Sequence, residues 1–148
     1  MSLADDLTAS MKDAMRAKET LALDTIRMAK SALKNKEIEK MAPVTEAEGF
    51  AVLQTLVKQR QEAAGQYRSG NREDLAKKEE AEIEILRRFL PQALSDGELQ
   101  AIIKETIAEI GATDIKQMGL VIKAVMPQIA GRADGARVSA AVKAALGG

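Results

Sequence analysis

The chain has no cysteine and no histidine. Without cysteine there are no disulfides, no thiol nucleophile and no thiolate metal ligand; without histidine the usual acid/base of neutral pH and the commonest metal ligand are gone. Carboxylates, lysines and hydroxyls remain as material for an active site. No arrangement of them in the sequence forms a complete catalytic site, so no catalytic residue, metal or cofactor is expected. Aromatics are scarce as well, with no tryptophan, one tyrosine and two phenylalanines. The 46% of apolar residues are therefore mostly Ala, Leu, Ile, Val and Met, an aliphatic supply that suits helices better than sheets. An excess of either charge is also missing: 22 basic residues face 22 acidic ones. The balance holds on both sides of Pro91, with 16 of each sign up to that residue and 6 of each beyond it. A strongly basic nucleic-acid or membrane binder is excluded, and any such contact must be local. No 18-residue apolar run exists to span a membrane. The opening MSLADDLTAS carries two acidic residues and no long apolar run, unlike a secretory signal, so a cytoplasmic location is expected and no membrane partner.

Apolar residues recur at helical spacing almost throughout. Leu3, Leu7, Met11, Ala14 and Met15 predict a first helix, and Leu23, Ile26, Ala29 and Leu33 a second. Pro43 interrupts. Thr45 and Glu48 then make a capping-box pattern ahead of Phe50, Leu53, Val57, Ala64 and Tyr67, which predicts a third helix of about 24 residues, or about 36 Å. Ser69-Gly70-Asn71 is a turn signal, and Leu75, Ile83, Leu86, Phe89 and Leu90 mark a fourth helix stopped by Pro91. Beyond it, Ser95 and Glu98 again have capping-box spacing before Leu99, Ile102, Ile103, Ile107 and Ile110, and Gly111 ends that helix. Asp114 is the expected cap of a sixth helix from Met118 to Ile129, with Pro127 loosening its last turn. Gly131 to Gly135 is a loop, and Val138, Ala141, Val142, Ala145 and Leu146 form a terminal helix. The expected fold is all-α, with an N-terminal long-helix domain over 1–91 and a small three-helix C-terminal domain over 92–148.

Three constellations bear on function. Arg27, Lys30 and Lys34, at offsets of three and seven, share one helical face that would track phosphates; the alternative is a solvated face partly neutralised by Asp24 and Glu37. Lys58, Arg60, Arg68 and Arg72 extend the basic theme weakly, since positions 58 and 60 point to different sides. The acidic run Glu79, Glu80, Glu82 and Glu84 has oxygen ligands enough for a hard cation, against the plainer reading of an exposed face answered by Lys77, Lys78, Arg87 and Arg88. The third group lies in the C-terminal part. Gly119, Gly131 and Gly135 permit a tight loop and close backbone approach, with Lys123, Arg132 and Arg137 beside it to meet RNA phosphates. The spacing is not that of a phosphate-binding loop, and helix capping around a small bundle is the alternative.

Several segments in order resemble the GatB/YqeY family, in particular its stand-alone YqeY-like members. They are Ile26-Arg27-Met28, Ala32-Leu33-Lys34-Asn35, Lys58-Gln59-Arg60, the stretch Gly70 to Ala76, and Glu79 to Leu86. The resemblance continues through Phe89-Leu90-Pro91, Ile110-Gly111-Ala112, Met118-Gly119 and Gly131 to Gly135. Family members often carry tyrosine where this chain has Phe89, so a hydroxyl is missing there. The resemblance implies a C-terminal domain like the tail of the B subunit of the glutamine-dependent tRNA amidotransferase, which helps hold tRNA while other modules carry the chemistry. It implies a tRNA-linked accessory or RNA-binding role, with tRNA and amidotransferase subunits as expected partners. The alternatives are participation in carbon-nitrogen ligase chemistry with glutamine as amido donor, alongside partner subunits, and a protein-interaction adaptor.

Overall fold

The computed structural model describes residues 2–147. They form seven α-helices, a short 3-10 turn and, among the described residues, no strand, so the all-α expectation holds. The first helix, α1 (Leu3–Ala17), starts at Ser2, whose hydroxyl accepts from Asp5 N at 3.2 Å while the Asp5 carboxylate accepts from Ser2 N. Lys18, left-handed at φ 57°, turns the chain into α2 (Thr20–Lys40), and Met41 at φ 56° closes α2 in the same way. The Thr45/Glu48 capping box opens α3 (Glu46–Ser69), which has the predicted 24 residues. Gly70 and Asn71 turn into α4 (Glu73–Arg87).

The fourth helix ends earlier than its apolar pattern. Arg88, Phe89 and Leu90 donate to the carbonyls of Ile85, Leu86 and Arg87, i→i+3 bonds that tighten the last turn. Pro91 disfavours helical geometry at the residue before it, so Phe89 and Leu90 pack on the core from a turn.

The chain divides into two compact units after Leu90. The first core gathers Leu3, Leu7, Ile26, Leu33, Leu53, Ile83 and Leu86 from all four helices, with Phe50 and Phe89 half-buried at its edge. The second unit contains α5 (Asp96–Ile110), the 3-10 turn Ile115–Gln117, α6 (Met118–Ile129) and α7 (Gly135–Ala145). Leu99, Ile103, Val121, Val125, Ile129, Val138 and Val142 fill its core. Each such side chain contributes about 1.5–3 kcal/mol by leaving water. Asp114 caps the 3-10 turn, accepting from Lys116 N at 2.9 Å, and α6 follows directly. Pro127 sits in the last turn of α6, which ends at Ala130 in the left-handed region at φ 50°.

Candidate functional site

The basic face of α2 is assembled as its spacing predicts, but its three cations differ. Arg27 and Lys34 are exposed and, among the described residues, have no carboxylate partner. Lys30 is half-buried because its ammonium donates to Thr8 Oγ1 of α1 at 3.0 Å. A groove of about 370 Å3 runs there between α1 and α2, lined by Thr8, Lys30, Ser31, Lys34 and Glu37. Glu37 lines the same groove and accepts from Val44 N at 3.2 Å, and among the described residues neither it nor Asp24 forms an ion pair with this face. The positive potential here is therefore less neutralised than sequence proximity suggests.

The C-terminal arginines are committed within their own unit. Arg132 Nε donates to the Gln92 carbonyl at 2.8 Å and its Nη2 pairs with Glu98 at 3.3 Å. The Arg132 carbonyl accepts from Leu94 N at 2.8 Å. Arg137 pairs with Asp96 at 2.8 Å, while its backbone N–H donates to Asp134, the cap of α7. Together they fasten residues 92–98 to the loop after α6. Lys123 stays exposed on α6 without an acidic partner among the described residues. Of the three glycines expected in a loop, only Gly131 lies in one with positive φ, at 83°. Gly119 is inside α6 and Gly135 is the first residue of α7, and a Cβ at either would meet nothing within 4 Å.

The outer side of α6 is unusual for a surface helix. Gly119, Leu120, Met126 and Pro127 are exposed there with Lys123 as the lone charge, and Leu120 is 63% exposed. The inner side buries Val121, Val125 and Ile129, so the helix is apolar nearly all round, a pattern typical of helices covered on both sides.

The acidic run of α4 scatters rather than converging. Glu80 pairs with Arg68, Glu84 with Arg87, and Glu82 points inward to Arg60. Among the described residues no group of three or more acidic side chains is placed to hold a metal ion. The Arg60–Glu82 pair is the feature that sequence reasoning missed. Its signal lies in register: Arg60 falls in the Leu53–Val57–Ala64 stripe of α3, and Glu82 in the Leu75–Leu86 stripe of α4. A charge on a core stripe requires a buried counter-charge.

The titratable groups with perturbed affinity are surface pairs. Lys40, then Thr45, hold the Glu48 carboxyl below its ordinary range by hydrogen bonding. Arg68 does the same to Glu73, and Arg72 to Asp74. Glu73, followed by Glu80, raises Arg68, and Asp74 raises Arg72. Every one of these shifts favours the charged form, the opposite of what a general acid or base near neutral pH requires.

The chain is similar to the "Altered inheritance of mitochondria protein 41, mitochondrial" of Clavispora lusitaniae, at 35% identity over 133 residues covering 87% of this chain and 77% of the relative. The protein of that name from Pyrenophora tritici-repentis is 27% identical across 95% of this chain and 79% of its own length. The one from Vanderwaltozyma polyspora is 40% identical over 57% of this chain and 46% of its own length. These names overturn the cytoplasmic expectation, because they place the relatives in mitochondria. No described helix is long and apolar enough to cross a membrane, an observation that does not separate one aqueous compartment from another. The model of the family described as Yqey-like protein matches residues 4–146. The chain belongs to this Yqey-like family.

Proposed function

We propose that this protein is a tRNA-linked accessory without a catalytic site of its own, which contacts folded RNA through the Arg27, Lys30 and Lys34 face of α2. The observation that carries the reading is selective pairing. Among the described residues seven of the nine arginines are tied to carboxylates; Arg27 and Arg88 are not, and of these two Arg27 shares its face with Lys34. An unpaired guanidinium on a helix face is available to a phosphate without giving up an internal partner. The tRNA assignment rests on the resemblance to the amidotransferase tail, and the names of the relatives support a mitochondrial setting. Lys123, Arg132 and Arg137 form a secondary contact; the two arginines must exchange exposed carboxylates for phosphates, a trade of about 0–1 kcal/mol per pair.

The test is tRNA binding across a salt series. Arg27→Ala with Lys34→Ala should flatten the logarithmic salt dependence by about 0.7–0.9 per lost phosphate contact. Arg132→Ala with Arg137→Ala should do less, and Lys77→Ala with Lys78→Ala nothing. If the parent does not bind near physiological salt, or all variants bind like it, the RNA reading fails. The exposed apolar side of α6 favours a second reading, an adaptor that docks on a protein such as an amidotransferase subunit. Glutamine- and ATP-dependent amidation that requires this chain only when partner subunits are supplied would support that reading and the link to carbon-nitrogen ligase chemistry.

A further inference from the structure

Three charges of both signs line one cavity of the first unit without pairing across it. The cavity, of about 240 Å3, lies where α1 turns into α2 and where the turn that ends α4 presents Arg88 and Phe89. Asp13 and Glu19 line it together with Arg88, and all three are exposed. Among the described residues Arg88 has no carboxylate partner, although two carboxylates border the same space. Glu19 holds the N-cap position of α2 without a side-chain capping bond and forms no ion pair, while Asp13 pairs only with the exposed Arg16, at 3.6 Å. The lining between these charges is apolar, with Ala22 and Ile26 buried and Phe89 half-buried.

We propose that this cavity binds a free α-amino acid, with its carboxylate on Arg88, its ammonium on Asp13 and Glu19, and an uncharged side chain against Ile26 and Phe89. Opposite charges that share a cavity but stay out of contact are complementary to a molecule carrying both charges close together, and in an α-amino acid the two groups are borne on one carbon. A guanidinium receives a carboxylate through two parallel N–H bonds, and an ammonium has three donors, enough for both acidic side chains. A simple anion would gain Arg88 but face the two carboxylates, and a simple cation would face Arg88, so each meets a repulsive charge that the zwitterion turns into a partner. The volume falls below the range of about 300–1,000 Å3 that holds drug-sized ligands, which sets the scale at one amino acid. The cavity shares no lining residue with the groove beside Lys30, and the proposal is independent of the RNA reading.

The experiment screens the full chain against the common L-amino acids, each at millimolar concentration, by saturation-transfer NMR, and measures the strongest binder by calorimetry. At least one amino acid with an uncharged side chain should bind. Its analogue without the ammonium and its analogue without the carboxylate should each bind about tenfold to a hundredfold more weakly, the factor for losing hydrogen bonds to a charged group. Arg88→Gln should weaken binding by a similar factor, as should Asp13→Asn combined with Glu19→Gln. Arg87→Gln, which changes the neighbouring arginine already paired with Glu84, should bind like the parent. All three carriers of the site are exposed, so helicity should not change; if Arg88→Gln does lose helicity, the two analogues and the Asp13/Glu19 variant decide the matter. The proposal is overturned if no amino acid binds, or if only those with charged side chains do. It is equally overturned if either analogue binds as well as the amino acid itself, or if folded Arg88→Gln or the Asp13/Glu19 variant binds like the parent.

Discussion

Arg60 on α3 and Glu82 on α4 form an ion pair at 2.8 Å with side chains only 7% and 12% exposed. The same two helices also meet through the exposed Arg68–Glu80 pair, but at the buried Arg60–Glu82 position a lone charge is costly and a matched pair roughly balances its own desolvation. Glu82→Ala, which strands the guanidinium, should lower stability by about 3–5 kcal/mol. Arg60→Met combined with Glu82→Leu should lose much less than either single change, because no uncompensated charge remains. Urea unfolding of the four proteins decides it: a double variant as unstable as the worse single one would contradict this account.

How much of this was legible beforehand differs by range of interaction. The capping box of Thr45 and Glu48 is a local device, complete within four residues, and the sequence pattern located the start of α3 correctly. At Ser95 the same pattern was half right. Its hydroxyl accepts from Glu98 N at 3.1 Å, but the Glu98 carboxylate reaches Arg132, 34 residues away. Arg132 and Arg137 were legible as charges beside a loop, whereas their partners Gln92, Glu98 and Asp96 come from tertiary folding that no local spacing encodes. The α2 face was legible because Arg27, Lys30 and Lys34 share one helix; the bond from Lys30 to Thr8, across two helices, was not.

Gly65 offers a test of whether a feature is structural. It lies within α3 beside a groove of about 520 Å3 lined also by Arg68, Glu80 and Arg87, and a Cβ there would meet nothing within 4 Å. Glycine inside a helix is less favourable than alanine by about 0.5–1 kcal/mol. Gly65→Ala should therefore stabilise the protein by that amount, read as a higher urea midpoint with unchanged slope. A lowered midpoint would mean that the glycine serves packing after all.

Glu48 ties α3 to the end of α2, with Lys40 Nζ 2.7 Å from Oε2. Because its carboxyl is held below the ordinary 4.5, chiefly by Lys40, the folded state binds the proton less readily than the unfolded one. The stabilisation is thus present above the unfolded value and is lost as pH falls through the lower folded value. Glu48→Gln should melt below the parent at pH 7, and the gap should close as pH drops below about 4.5, the unfolded carboxylate range. A gap that persists unchanged at acid pH would assign the defect to capping geometry rather than to charge.

The fastening of residues 92–98 predicts a local rather than a global effect. Arg132 holds this segment by three bonds: its carbonyl accepts from Leu94 N, its Nε donates to the Gln92 carbonyl, and its Nη2 pairs with Glu98. Only the last two depend on the side chain, which is 39% exposed, so the Glu98 pair contributes about 0–1 kcal/mol and the bond to Gln92 about 1 kcal/mol. Leu94, 4% exposed, belongs to the second core with Val121, Val125 and Val138, and Arg132→Ala leaves those apolar contacts in place. Arg132→Ala should leave the main unfolding transition nearly in place while the Leu94 amide exchanges with solvent about tenfold faster, the factor for 1.4 kcal/mol of easier local opening. Arg137→Ala should accelerate it less, since its partner Asp96 is 91% exposed and the backbone cap at Asp134 survives. Hydrogen exchange followed by mass spectrometry resolves the two cases. Unchanged exchange at Leu94 together with a large fall in overall stability would show that Arg132 supports the core and not the segment after Pro91.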